Sequence, residues 1–453
     1  MIATSLSAIA EALNTEIIGG DTLINSVSTD TRTIHPGSLF IALVGENFDA
    51  HDFCQKAKES GASALLVERK LPVELPQIVV RDTRLALGRL ASWVHKKCDI
   101  KTVAITGSCG KTTVKEMVSS ILSLKGKVLA TAGNFNNDIG VPLTLLRSQP
   151  DFDYAVIELG ANHLGEIAYT TDLVRPSVAL VNNVAAAHLE GFGSIDGVKE
   201  AKGEIYHGLS SGDIAIVNLD SQGEELWEQV LSNKRIISFS MSNISANYYA
   251  KNCQLNSQGY ASFTMHTPAG EIDVQLSVVG EHNVPNALAA TALAMGLGSS
   301  LTDAAKGLAT VVNVKGRVEI IQLSDEVRLI DDSYNASVPA MSAAVKLLSS
   351  YTGTRWLVLG YMAELGQESL EFHRQLGEYA AQFNFENVLT FGDEAKVISD
   401  ICQGLHFSTH SELFDYMWQH LQKPPKHVHT VLIKGANGAH MSVVAEALKE
   451  KHK

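Results

Sequence analysis

The segment Thr106-Gly107-Ser108-Cys109-Gly110-Lys111-Thr112-Thr113 constrains this chain more than any other. A short apolar run, Val103-Ala104-Ile105, precedes it, and Val114-Lys115-Glu116-Met117-Val118 follows. The first reads as a strand and the second as the opening of a helix. A strand, a glycine turn, a Lys-Thr pair and a helix form the layout of a phosphate-binding loop. Backbone N–H groups and the helix N-terminus offer positive potential to phosphate oxygens. Lys111 adds a full charge, and the Thr112 hydroxyl suits Mg²⁺. The loop is a variant, because Ile105 stands where the usual spacing has glycine. The expected nucleotide cradle is Gly107, Ser108, Cys109, Gly110, Lys111, Thr112 and Thr113.

At 453 residues the chain has room for about two to four domains, each with a full core. A net charge of −13 argues against general binding to nucleic acid or to anionic membrane. Cys54, Cys98, Cys109, Cys253 and Cys402 are dispersed without metal spacing. That pattern suits reduced thiols in a cytoplasmic protein. Cys109 falls inside the phosphate loop, where a small tolerated residue is the simpler reading. Met1 to Leu13 lacks a basic start and spaces Leu6, Ile9 and Leu13 as an amphipathic helix, not a signal peptide. No apolar run reaches membrane-spanning length. The Ala-rich stretch from Ala287 to Gly298 reads as a buried helix.

The expected fold class is α/β, with three domains. Residues 1–82 hold short strands and turns, a small α/β unit. Residues 83–312 alternate near-continuous apolar strands with helices, a mostly parallel central sheet of the P-loop type. Within that unit, 240–280 alternates as antiparallel strands do. After residue 313 the pattern restarts as a second doubly wound, Rossmann-like unit.

Several positions carry candidate chemistry. Glu158 ends the strand Tyr154–Ile157, and a carboxylate there faces the ligand crevice of a parallel sheet. It reads as a Mg²⁺ ligand. His188 follows the strand Val178–Val181; a lone histidine is usually structural, although neutral imidazole at a strand end can ligate a metal. Lys202 reads from spacing alone as a surface helix lysine. Asn134, Asn136 and Asn137 sit between Gly133 and Gly140, where turn chemistry and ligand contacts explain them equally well. Asn283 and Asn286 precede the Ala-rich helix, one as a cap and one placed to read an adenine edge. Arg317 marks a junction. Asp332, Tyr334 and Asn335 follow a strand, where an aspartate binds ribose hydroxyls or caps the next helix.

Taken in order, these words resemble the Mur ligase family over essentially the whole chain. The matching motifs are Thr106–Thr113, Glu158-Leu159-Gly160, Ala187-His188-Leu189-Glu190, Ala201-Lys202-Gly203-Glu204, His282–Asn286, Gly316-Arg317 and Asp332–Asn335. Family members join an amino acid or peptide to a UDP-linked muramyl precursor with ATP. Ser28-Thr29-Asp30-Thr31-Arg32, Phe48–Phe53, Gly133–Pro142, Glu158–His163 and Met362–Gly366 with His373 are most similar to the branch that adds D-alanyl-D-alanine to UDP-N-acetylmuramoyl-tripeptide. A sibling adding one amino acid and a folylpolyglutamate-type synthetase are the alternatives. The resemblance implies roles. Lys111 contacts the terminal phosphates, Thr112 and Glu158 hold one Mg²⁺, and Glu158 with His188 serves a second. Lys202 matches a lysine carbamylated in the family. Asn286 reads adenine, Arg317 the γ-phosphate and Asp332 the ribose. Lys111, Lys202, His188 and Arg317 are the implied catalytic set, and Ser28, Thr29, Asp30 and Arg32 hold the UDP end. The implied enzyme is a cytoplasmic monomer that closes its domains in peptidoglycan precursor synthesis. Ala50, Tyr361, Ser337 and the Lys434–Gly438 word depart from the family pattern.

Overall fold

The computed structural model describes residues 1–221, 223–422 and 428–452. Three main sheets organise them. The first runs Ile17–Ile18, Gln77–Val79, Ala62–Val67, Ser38–Ile41, Ser26–Ser28 in spatial order, parallel except for its first pair. The helix Leu6–Ala12 is shorter than its periodicity suggests, because Thr4–Ser5 pairs with Leu23–Ile24 and the Ser5 side chain caps the helix at Ala8.

The central sheet has nine strands. In spatial order they begin Val128–Ala130, Tyr154–Glu158, Lys101–Thr106, Val178–Val181, Ile214–Asn218, Arg235–Ser240, Tyr248–Leu255, all parallel. Tyr260–Thr267 and Gly270–Val279 complete it antiparallel, as the alternation over 240–280 predicts. Lys101–Thr106 sits at the switch point of this order. The helix that follows it leads to one side of the sheet, while Val178–Val181 continues to the other. Loops after these two strands therefore face each other across an open crevice, the general ligand position of doubly wound sheets.

Side chains of the switch-point strand alternate between two cores. Val103 and Ile105 join Met117, Val118 and Ile121 of the helix Lys111–Ser123 and the buried helix Asn283–Gly296. Ala104 faces the other way, into a cluster that continues through Leu87 and Leu90 to Leu6, Leu39 and Leu66. The helix Thr83–Cys98 supplies Leu87 and Leu90 to that shared core. At roughly 1.5–3 kcal/mol per buried large aliphatic side chain, this packing holds the phosphate-loop strand from both faces. The helix Leu301–Leu308 approaches closely: a Cβ on Gly307 would lie 2.6 Å from Ile121 Cα.

The third sheet orders Glu319–Gln322, Val327–Asp332, His429–Lys434, Thr354–Gly360, Asn387–Phe391, Leu405–Phe407. Only the first pair is antiparallel. Asp331 and Asp332 end the strand itself instead of following it. This sheet has core clusters on both faces, and one of them takes in Tyr260 and Val279 from the central sheet. Among the described residues, no helix is long and apolar enough to cross a membrane.

Candidate active site

A cavity of about 640 Å³ opens where the central and third sheets present their loops to each other. Its lining joins Lys111, Thr112, Glu158 and His188 from one side to Arg317, Asp332, Tyr334, Asn335 and Lys434 from the other.

The glycine turn is shaped by steric necessity. Gly107 has φ +148° and Gly110 has φ +78°. A Cβ on Gly110 would lie 2.7 Å from both Asn182 Nδ2 and Asn286 Oδ1. Asn183 Oδ1 accepts from the Cys109 N–H at 2.9 Å, and Asn182 Nδ2 donates to the Cys109 carbonyl at 3.0 Å. Asn182 and Asn183 follow the neighbouring strand Val178–Val181 and brace the turn. Sequence reading missed this pair; its signal was two amides at the end of a strand adjacent to the loop. Helix Lys111–Ser123 starts at the turn, and its first N–H groups have no intrahelical acceptors. With the Lys111 ammonium, they make a concave donor set that fits a polyphosphate. Burial pushes the Lys111 amine below its ordinary range, and Arg317 pushes the same way. Its Nζ donates to the Gly107 carbonyl at 2.7 Å. Burial raises the Cys109 thiol, so it stays a small neutral side chain.

Glu158 is 2 % exposed. Its Oε2 accepts from the Thr112 hydroxyl at 2.9 Å and its Oε1 from Asn136 Nδ2 at 2.8 Å. A hydroxyl and a carboxylate side by side next to the phosphate turn are hard oxygen donors that fit Mg²⁺. Among the described residues, no three His, Cys, Asp or Glu side chains converge into a ready metal cage. An ion here would draw further ligands from phosphate and water, as Mg²⁺ commonly does.

Spacing alone misreads Lys202. It lies on the helix Ile195–Gly203 but is 1 % exposed, not a surface residue. Its Nζ makes no hydrogen bond or ion pair among the described residues and lies 5.2 Å from the Phe192 ring centroid. Burial lowers its amine to about 7, with the Lys111 charge acting in the same direction. Lys202 and Gly107 lie outside the cavity lining, whereas Ser108–Thr113 belong to it.

Asn134, Asn136 and Asn137 line the cavity, as do Asn283 and Asn286. The Asn286 amide is engaged on both sides, accepting from Asn182 at 3.0 Å and donating to Asn283 Oδ1 at 2.9 Å. Arg317 stacks on Tyr334, its guanidinium carbon 4.2 Å from the ring centroid. Asp332 does not cap the next helix: Lys434 Nζ donates to its Oδ2 at 2.6 Å and the Val318 N–H to its Oδ1 at 3.2 Å. From sequence Lys434 stood only in a word that departs from the family pattern, with no role at the site. Burial lowers the cavity-lining His282 to about 4, and the charge of Lys434 adds to that.

Ser28, Thr29, Asp30 and Arg32 do not line this cavity. They form a separate turn, in which Asp30 caps Thr31–Thr33 and takes the Arg32 guanidinium at 2.6 Å. The Ser28 hydroxyl donates to the Asp30 carbonyl at 2.8 Å.

Family models match three successive stretches of the chain. The Mur ligase family catalytic domain matches residues 23–94, the Mur ligase middle domain 105–294, and the Mur ligase glutamate ligase domain 316–437. The chain belongs to the Mur ligase family. It is 49% identical over 451 residues, 99% of each chain, to the UDP-N-acetylmuramoyl-tripeptide–D-alanyl-D-alanine ligase of Escherichia coli K12. A crystal structure of MurF from Acinetobacter baumannii superposes with TM-score 0.93 at 37% identity, covering 98% of both chains. MurF ligase from Thermotoga maritima in complex with ADP gives TM-score 0.84 at 27% identity, covering 94% of this chain and 97% of that one.

Proposed function

We propose that this protein joins D-alanyl-D-alanine to UDP-N-acetylmuramoyl-tripeptide with ATP, in peptidoglycan precursor synthesis. The observation that carries the reading is the single cavity that holds Lys111, Glu158 and His188 opposite Arg317 and Tyr334. The relatives' names supply the substrates, and the site supplies suitable chemistry.

A peptide carboxylate is a poor electrophile. In the proposed reaction it takes the γ-phosphoryl group of ATP, releasing ADP. The dipeptide amine then attacks the acyl carbon, a proton leaves the amine, and phosphate departs. Lys111 and Arg317 offset charge that builds on the transferring group. Mg²⁺ held by Thr112 and Glu158, with a second ion near Glu158 and His188, would supply further charge neutralisation. Asn134, Asn136, Asn137, Tyr334 and Asn335 are assigned to the peptide, and Ser28, Thr29, Asp30 and Arg32 to the UDP end. Asn283 and Asn286 are assigned to the base and Asp332 to the ribose.

Lys202 is assigned as a carbamate. A buried amine lowered to about 7 has a substantial neutral fraction near that pH, the form that adds CO₂. Addition to the neutral amine forms an N–C bond and releases one proton, leaving a negative side chain beside Lys111; counted from the ammonium, two protons leave. We place the three units at 1–82, 83–312 and 313–453, boundaries that leave each main sheet undivided. We assign the protein to the cytoplasm, which its unpaired cysteines suit, and take it to act as a monomer.

The test is ADP release with UDP-muramyl-tripeptide and D-alanyl-D-alanine. Turnover should need both. Equal turnover with a single amino acid or glutamate in place of the dipeptide would sink the assignment.

A further inference from the structure

His188 and Glu364 meet across the cavity wall. His188 Nδ1 is in direct contact with Glu364 Oε2. The Glu190 N–H donates to the Glu364 carbonyl at 3.2 Å. Gly366 rests over the short helix Leu189–Phe192, where an added Cβ would lie 3.9 Å from Glu190 Cα. The two partners come from different sheets: His188 follows Val178–Val181, and Glu364 follows Thr354–Gly360.

Both residues are left-handed. His188 has φ 55° and Glu364 has φ 61°. Neither is glycine, and side-chain-bearing residues hold that conformation only where their surroundings over-determine it. Two such residues facing each other form a built contact, not a chance surface pair. With Nδ1 against a carboxylate, the ring proton belongs on Nδ1 and Nε2 is left as the free lone pair.

We propose that Glu364 is a positioning residue: it fixes the tautomer and orientation of His188 for metal binding, and does so only while the loop 362–366 rests on the His188–Glu190 turn. The inference depends on the reading of His188 as a metal ligand given above. It makes the ion site and the docking of the third sheet reciprocal, since whatever favours one favours the other. The same sheet carries Asp332 and Tyr334, so docking brings its part of the cavity to the ion at the same moment.

The test uses the full chain with a non-hydrolysable ATP analogue. Mn²⁺ binding is followed by electron paramagnetic resonance, and the His188 tautomer by ¹⁵N spectra of labelled histidine. Wild type is compared with His188→Ala, Glu364→Ala and Glu364→Gln. Glu364→Ala should weaken one Mn²⁺ site by about 10–100-fold and mix the His188 tautomers, with analogue affinity unchanged. Glu364→Gln keeps an oxygen to accept from Nδ1–H and should recover most of both signals. Glu364→Asp, which retains the charge but shortens the reach, substitutes for the alanine variant if that one does not fold. If His188→Ala weakens Mn²⁺ binding while the Glu364 variants match wild type in affinity and tautomer, the positioning role is overturned. If His188→Ala itself leaves Mn²⁺ binding unaltered, the metal-ligand reading falls and the inference goes with it.

Discussion

Asp332 and Lys434 are register partners on adjacent parallel strands, and their side chains form a 2.6 Å ion pair at the cavity wall. Lys434 Nζ also donates to the Asn335 carbonyl at 2.9 Å, so the pair anchors the loop that presents Tyr334. Burial pushes the Asp332 carboxyl up, and the Lys434 charge opposes that. Removing one partner strands a buried charge. Lys434→Met should therefore cost about 3–5 kcal/mol in urea unfolding. The double variant Asp332→Leu with Lys434→Met should regain much of that loss, which a double-mutant cycle reads directly.

Lys111 is assigned a functional task and carries little structural load, since its Nζ contact is the Gly107 carbonyl. Lys111→Met should lower substrate-dependent ADP release by about 10²–10³-fold, with the melting temperature near wild type. A melting temperature that falls in step with activity would show that the lysine holds the turn together instead.

Gly110 tolerates no side chain at φ +78° with two amides 2.7 Å from its missing Cβ. Gly110→Ala should weaken binding of an ATP analogue roughly ten-fold or more, from about 1–2 kcal/mol of backbone strain plus displacement of Asn182 and Asn286. Calorimetric titration measures this, and unchanged affinity would mean that the nucleotide binds elsewhere.

Lys202 makes stability depend on pH. Its folded value, about 7, lies below the ordinary 10.5. Between those values the unfolded chain binds the proton and the folded chain does not, so stability rises with pH across that window. Below about 7 both states are protonated and the burial cost of the charge is fully present. In CO₂-free buffer, Lys202→Met should flatten the rise in denaturant midpoint between pH 7 and 10.5. Ligation by the same variant should be lost and should not return with added bicarbonate.

The strand, glycine turn and helix start at 106–113 were legible because the signal is local: turn, lysine, hydroxyl and helix start lie within eight consecutive residues. Glu158 was legible as a strand-end carboxylate, and the structure adds its bonds to Thr112 and Asn136. Lys202 was not legible from spacing. Its burial depends on how the helix Ile195–Gly203 packs with Phe192 near the site, and such packing leaves no trace in a charge pattern. The partners Lys434 and Glu364 were missed because each meets its counterpart across more than a hundred residues. The segment Ser28–Arg32 was legible only through the resemblance, and its separation from the main cavity depends on how the sheets are placed, which no local motif encodes.

One core runs without a break from Leu6 and Leu66 through the helix Thr83–Cys98 to Ala104 and Ile157, while the last sheet is built on two clusters that take in only Tyr260 and Val279 from the central sheet. Heat should therefore melt the first two sheets as one cooperative block and the last as another. Differential scanning calorimetry would resolve this as two endotherms, with a nucleotide bridging the cavity drawing them toward one.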